Sequence, residues 1–600
     1  MYSNPLVEFL RTYGPTASSD SIWDEHVTGA AAKLGVAPLH VPSLRVGDLV
    51  QNFRSPEAVN VILTGTAGDG KTWHCRQVFF ELGGTEDGWA HHDALAEVRV
   101  GGRVLTVVKD LSWFFDKPDQ KDILEGLLPA LLGRAPDRLF LVAANDGQLL
   151  RFWREHAKEY PEAAGVGDRI RTLLKEDAEH DPHLRLALYN LSRQSHDRLF
   201  DEVVDALDGH PGWAACAPCP LAQADRCPIR RNLRVLTGTD GTGMRGRLRE
   251  LIRLAAHNDM HLPMRHVLLL AVNVVLGVSN RATGLLHCST AHALVEENAA
   301  ACANPFDNAL GLNVSAVSQR QQYRAFTVFE SMGIGRETNN AIDGLLVDGV
   351  PGDRYKALVS SDNQFAGKAF ENIRRAYQRG NLDDFERFRA ALEGQRRRLF
   401  FLLPSEGEWL FAPWRLTVFT HGATYLRFAE DLAAGRPVDR IRHRLVVGLN
   451  RTYTGMMCDE GQAVWFAAPA ANTQSRLGRV LDVAMRVGPS KKERIHFDFD
   501  ANGPHGRPRM VVRAEGGGAP VVDSHAMTPL LFEYLLRVHG GSLPGSFSRQ
   551  CFEELRQFRL RAVAGLARRG LVDSDSLSEM SLVRIGPDGA LREEPIEVTA

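Results

Sequence analysis

The run GTAGDGKT, from Gly65 to Thr72, constrains the fold of this 600-residue chain more than any other feature. An apolar stretch, Val59–Leu63 (VNVIL), enters it directly, and Trp73 to Leu82 reads as a helix leaving it. Gly65, Gly68 and Gly70 let the backbone wrap with its N–H groups inward, at the start of a helix whose dipole favours anions. Thr66, Ala67 and Asp69 fill the rest of the loop. Lys71 brings a positive charge to the β- and γ-phosphates of a nucleotide, and the Thr72 hydroxyl is suited to ligate magnesium. A glycine-rich turn with a chance lysine would share these letters but not the strand–loop–helix context.

The expected fold class is therefore α/β: a P-loop NTPase core with a parallel sheet, then a helical region and a mixed α+β C-terminal region, with ATP and Mg2+ as cofactors. Val59–Leu63, Arg103–Val108 and Leu139–Ala144 are the strand candidates, apolar without clean alternation as strands buried on both faces should be. VLTVVKD ends at Asp110, where a carboxylate could hold magnesium through water. The same aspartate could be a helix N-cap, and the two roles can coexist. A glutamate that would polarise the attacking water is missing after it, since that position is Leu111. LFLVAAND ends in Asn145 and Asp146, placing a polar side chain near the γ-phosphate or simply making an Asn-Asp-Gly turn. The order of loop, acidic strand end and polar strand end resembles the Walker A, Walker B and sensor-1 order of AAA+ and STAND ATPases, over roughly residues 55 to 150. That resemblance implies an arginine reaching the γ-phosphate from a helix behind the core. Arg265 in HLPMRHVLLL is the candidate, with a solvated first-turn arginine as the alternative.

Length and texture suggest five segments: 1–57 helical and loop-rich, 58–155 the ATPase core, 156–300 a helical lid region, 301–400 helical, and 401–600 mixed α+β. In the last segment Ile495–Asp500, the Asn502-Gly503 turn and Met510–Arg513 read as a hairpin. Pro529 to Arg568 reads as helical, with a further hairpin around Asp588-Gly589. A net charge of −2 gives no global field to recruit nucleic acid. No apolar run is long enough to span a bilayer, and MYSNPLVEFLRTYG has no apolar signal core, so a cytoplasmic protein without membrane contact is expected.

Cys216, Cys219 and Cys227 read C-A-P-C-P-L-A-Q-A-D-R-C-P-I, with two thiols at zinc-knuckle spacing and a third within reach. A structural zinc would need a fourth ligand, for which His210, His287, Cys288 and His292 are candidates. The alternative is a loop of reduced, buried thiols. His91-His92-Asp93 reads as a surface turn. Gln395-Arg396-Arg397-Arg398 and the arginines from Arg556 to Arg569 could meet a phosphate backbone, but solvated helix surfaces are the commoner reading.

Four longer runs, LFLVAANDGQL, the Cys-Pro-Ile ending of the cysteine cluster, NPFDNALGLNV and VVGLNRTYTGM, resemble bacterial ATPases that accompany DNA-modification and anti-phage systems, including phosphorothioation-linked ones. The resemblance implies an ATPase, oligomeric and working with protein partners of such a complex, with DNA as a further partner. It implies Lys71, Asp110, Asn145 and Arg265 as the catalytic set. A nucleotide-switched sensor of the STAND kind, with slow hydrolysis and a partner-recognising C-terminal half, is the second expectation.

Overall fold

The computed structural model describes residues 3–15, 23–115, 117, 119–193, 196–239, 241, 243–281, 284–380, 385–405, 408–469, 478–480, 485–488, 494–501, 506–514, 519–569 and 579–597. The chain divides into two compact units. Met1–Arg253, His261–Ser331 and Asp343–Leu402 form the first; Leu254–Met260, Met332–Ile342 and Leu403–Ala600 form the second.

The first unit is built on a five-stranded sheet of β1 (Asn60–Thr64), β2 (Leu95–Val100), β3 (Arg103–Val108), β4 (Arg138–Ala143) and β5 (Leu186–Asn190), in the order β2-β3-β4-β1-β5. β1 runs parallel to β4 and β5, and β3 parallel to β4, while β2 is an antiparallel edge. Both faces of the sheet are covered. Ile62, Phe140 and Val142 face one apolar core with Phe152 and Trp153. Val61, Leu63, Leu139 and Leu141 face another with Val78 and Phe79. Two-sided burial is why these strands lack alternation in sequence. Asn60, fully buried in β1, stays satisfied: its Nδ2 donates to the carbonyls of Ala130 and Arg185 at 3.0 and 2.9 Å, and its Oδ1 accepts from Phe140 N at 2.9 Å.

Three strands match expectation to within a residue or so. The sheet, however, continues past residue 155 into the segment expected to be a helical lid, because β5 completes the edge beside β1. The helices that frame the site are α1 (Lys71–Glu81), α2 (Asp146–His156), α3 (Met264–Leu276) and α4 (Cys288–Glu296).

Two runs that carried the resemblance are buried hydrogen-bonding scaffolds. In NPFDNALGLNV, Asn308 Nδ2 donates to the carbonyl of Gly277 at 2.8 Å, and the Asn313 and Asn273 amides pair reciprocally at 2.9 Å. In VVGLNRTYTGM, Asn450 Nδ2 donates to the carbonyls of Glu460 and Ala463, both at 2.8 Å. The arginines of the 395–398 run are neither solvated nor turned to a phosphate backbone. Arg396, Arg397 and Arg398 are spent within the first unit on Asp343, Asp307 and Asp362, at 2.7, 2.6 and 2.6 Å.

The second unit carries an antiparallel sheet of β6 (Ile495–Asp500), β7 (Arg507–Arg513) and β8 (Val521–Ala526). The expected hairpin is its β6–β7 pair, with Ile495 opposite Val512; Asn502 and Gly503 lie outside the described residues. The stretch from Pro529 is two helices, α5 (Pro529–His539) and α6 (Arg549–Ala567), and β9 (Glu579–Ile585) pairs with β10 (Leu591–Glu597) around Asp588-Gly589. Arg556 and Arg561 meet Glu553 and Asp523 at 3.7 and 3.0 Å, and Arg559 is buried, so these arginines do not form a free basic stripe. Among the described residues, no helix is long and apolar enough to cross a membrane.

Candidate nucleotide site

β1 ends at Thr64 and the chain turns through Gly65–Gly70 into α1. Gly68 has φ 89° and Gly70, the N-cap of α1, has φ 82°, left-handed values that favour glycine. A Cβ at Gly68 would stand 3.1 Å from the Cβ of Arg265, so glycine also admits the start of α3. There Arg265 N donates to the Gly68 carbonyl at 3.0 Å.

Lys71 folds back over the loop, its Nζ donating to the Gly65 and Thr66 carbonyls at 3.0 and 2.8 Å. Burial pulls its pKa below the usual lysine value, against the opposing charges of Asp69, Asp110 and Asp146. Thr72 Oγ1 lies 3.3 Å from the Lys109 carbonyl at the end of β3. Lys109 itself points away, with Nζ donating to the His92 carbonyl at 2.7 Å. His92 belongs to the turn read from the sequence: its Nδ1 accepts from Ala94 N at 3.0 Å.

Asp110 does cap the helical turn that follows. Its Oδ1 accepts from Ser112 N and Oγ at 2.9 and 2.8 Å, which leaves Oδ2 for other work. β4 lies between β1 and β3, so Asn145 and Asp146 emerge between the loop and Asp110. Asn145 caps α2 in a capping box, its side chain facing the Gln148 N–H and its own N–H donating to Gln148 Oε1 at 3.2 Å. The Oδ1 of Asp146 is buried and has no hydrogen-bond partner among the described residues.

Sequence reasoning missed two features. Asp69 is the hub of the loop, its side chain 1% exposed. Its Oδ2 accepts from Thr66 N (2.7 Å), Thr66 Oγ1 (3.0 Å) and Ser192 Oγ (2.6 Å), and its Oδ1 accepts from His261 Nε2 (2.8 Å). Burial would raise this carboxyl, but His261, Ser192 and Thr66 outweigh it and hold it below the ordinary value. The only signal was a histidine four residues before Arg265. The second feature is His74, which lies within 2.8 Å of the Gly70 carbonyl through Nδ1 and 3.0 Å of Ser43 Oγ through Nε2. Burial pushes it down to about 4, so it stands neutral.

Lys71, Thr72, Asp110, Asn145 and Arg265 all line one cavity of ≈ 1070 Å³. Tyr13, Val27, Leu39, Val41 and Phe80 add apolar surface to the same cavity, beside Arg76, which lies over the Phe80 ring and pairs with Glu86. No protein-family model, curated protein or solved structure matches the chain.

The cysteines lie elsewhere in the same unit. Cys216, Cys219 and Cys227 line a small cavity together with Cys288 and His292. His210 is used otherwise, bonded to the Ala37 carbonyl at 2.8 Å and to Gly212 N at 3.0 Å. His287 pairs with Glu8 at 2.8 Å. Among the described residues, no group of three or more His, Cys, Asp or Glu side chains is placed so that it could hold a metal ion.

Proposed function

We propose that this protein binds and hydrolyses ATP with magnesium, as a P-loop ATPase of the AAA+/STAND kind. The observation that carries the reading is the convergence of Lys71, Thr72, Asp110, Asn145 and Arg265, drawn from four separate chain segments, on one cavity. The strand order supports it too, since the polar end of β4 emerges between the loop and the acidic end of β3.

The N–H groups from Gly70 to Thr72, at the start of α1, would hold the phosphates. Lys71 would exchange two carbonyl acceptors for phosphate oxygens. Thr72 Oγ1 and, through water, Asp110 Oδ2 would hold Mg2+. The ion, when bound, screens the charge that develops on the transferring phosphoryl group. Asp146 would offer its unpartnered Oδ1 to the attacking water beside Asn145, and Arg265 would reach the γ-phosphate from the first turn of α3. Tyr13, Val27 and Leu39 would cover the base.

A slow, switch-like variant of this chemistry has one observation in its favour. Leu111 is fully buried at the position where a water-polarising glutamate would follow the magnesium aspartate. Coupling to a DNA-modification or anti-phage complex, as an oligomer with protein and DNA partners, rests on the sequence resemblance alone. The test is ATP turnover by the purified chain with and without duplex DNA, for wild type and Lys71→Ala. Turnover abolished by the substitution is expected. Equal ATP affinity in wild type and variant, measured by calorimetry, would refute the site; DNA stimulation would favour the motor over the switch.

A further inference from the structure

We infer that Cys216, Cys219, Cys227 and Cys288 form a four-thiolate site for a single zinc ion, with His292 hydrogen-bonded to one of the sulfurs. Three of these residues are close in sequence; the fourth is brought in by the fold from about sixty residues further on. Each stands at the edge of a helical turn. Cys216 ends the turn Pro211–Cys216, Cys219 caps Pro220–Gln223, Cys227 caps Pro228–Thr237, and Cys288 opens α4. Cys219 N donates to the Cys216 carbonyl at 3.0 Å, a tight C-x-x-C turn that keeps both side chains on one side.

All four thiols and His292 line the same cavity, whose free volume is ≈ 30 Å³. A tetrahedral ion of soft-ligand preference fits the donors. Polar groups reach two of the sulfurs, although burial holds the Cys227 thiol above its ordinary value and pushes Cys288 up to about 11, so ionisation has to come with the metal. Asn4 Nδ2 donates to Cys216 Sγ at 3.1 Å, and the first-turn amides of Ile229 and Arg230 face Cys227. Arg230 also lines the cavity and can balance the net negative charge of a four-thiolate zinc. His292 Nε2 lies 3.6 Å from Cys219 Sγ, the contact expected of a neighbour that orients a ligand. Among the described residues no three such side chains already form a group that could hold a metal ion, so the sulfurs have to shift to close on one.

A bound ion would join three separated segments: the 211–230 loop, the start of α4, and the N-terminus through Asn4. That is an architectural role, and it does not depend on the nucleotide assignment.

The test is the metal content of the full chain purified without chelators, for wild type, Cys219→Ser, Cys288→Ser, His292→Ala and Cys302→Ser. About one zinc per chain is expected in wild type and Cys302→Ser. The two ligand variants should lose at least half of it equally, and His292→Ala should keep most of it. Cobalt substitution of the wild-type chain gives a second readout that needs no variant to fold, with intense thiolate-to-cobalt absorption characteristic of four sulfurs. Metal-free wild type, iron with acid-labile sulfide, full zinc in Cys288→Ser, or zinc lost on His292→Ala would each overturn the assignment.

Discussion

Removing the Asp69 carboxylate should unlock the phosphate-binding loop. Asp69→Ala deletes four hydrogen-bond acceptances, from Thr66 N, Thr66 Oγ1, Ser192 Oγ and His261 Nε2, at 2.6–3.0 Å. Bonds to a charged acceptor are worth roughly 1.5–3 kcal/mol each, and breaking a buried pair by removing one partner costs about 3–5 kcal/mol. The loop borders a large cavity that water can enter, so stranded donors can be partly rehydrated, and the low end, about 3 kcal/mol, is the expected local loss. Where opening is fast relative to exchange, that corresponds to roughly 150-fold faster amide hydrogen exchange. The readout is exchange in peptides covering Gly65–Gly70 and His261–Val267, because Arg265 N is tied to the Gly68 carbonyl. Asp69→Asn is the control. One amide oxygen can still accept the three bonds now made to Oδ2, so its exchange should rise less than about tenfold. Unchanged exchange in Asp69→Ala would mean that the glycine backbone and Lys71 alone order the loop, and the hub described here would be wrong.

Two further outcomes follow from the same geometry. Asp110→Asn keeps the cap on Ser112, because an amide oxygen replaces Oδ1, but removes the charge; ATP turnover should fall roughly tenfold or more while ATP affinity stays within about threefold. Unchanged turnover would move the magnesium carboxylate to Asp146. His74 is held at about 4 by burial, below its value of 6.5 when exposed, so the unfolded chain takes up this proton first. The stability tied to the neutral ring is complete above pH 6.5 and lost as pH falls toward 4, by about 2 kcal/mol at pH 5. Thermal melts of the nucleotide-free chain should show this acid loss, and His74→Asn, which can keep the bond to the Gly70 carbonyl, should show less of it. His266, also held at about 4 by burial, sets a remaining slope in both proteins.

Continuous apolar runs made β1, β3 and β4 legible, because a strand buried on both faces must be apolar at every position. β2 was not, since LAEVRV is a half-exposed edge that carries Glu97 and Arg99. β5 was not either, because its pairing with β1 joins residues more than a hundred positions apart. The loop residues could be named because each letter of GxxxxGKT has a stated duty. Asp69 could not be read the same way, since its partners Ser192 and His261 arrive by way of β5 and α3. Arg396–Arg398 misled for a related reason: a basic run looks solvated until Asp343, Asp307 and Asp362 are brought to it.

The apolar lining of the large cavity has a bearing on how the chain may be cut. Tyr13, Val27, Leu39 and Val41 all precede β1. A fragment starting near residue 58, where composition suggests that the core begins, would retain Lys71, Thr72, Asp110, Asn145 and Arg265 and lose these four lining residues while keeping Phe80. If the cavity holds a nucleotide as proposed, such a fragment would keep the groups that meet the phosphates and lose part of what lines the rest of the cavity. On that reading part of the discrimination among nucleotides resides in the first forty-odd residues, apart from the loop, and the two properties can change independently.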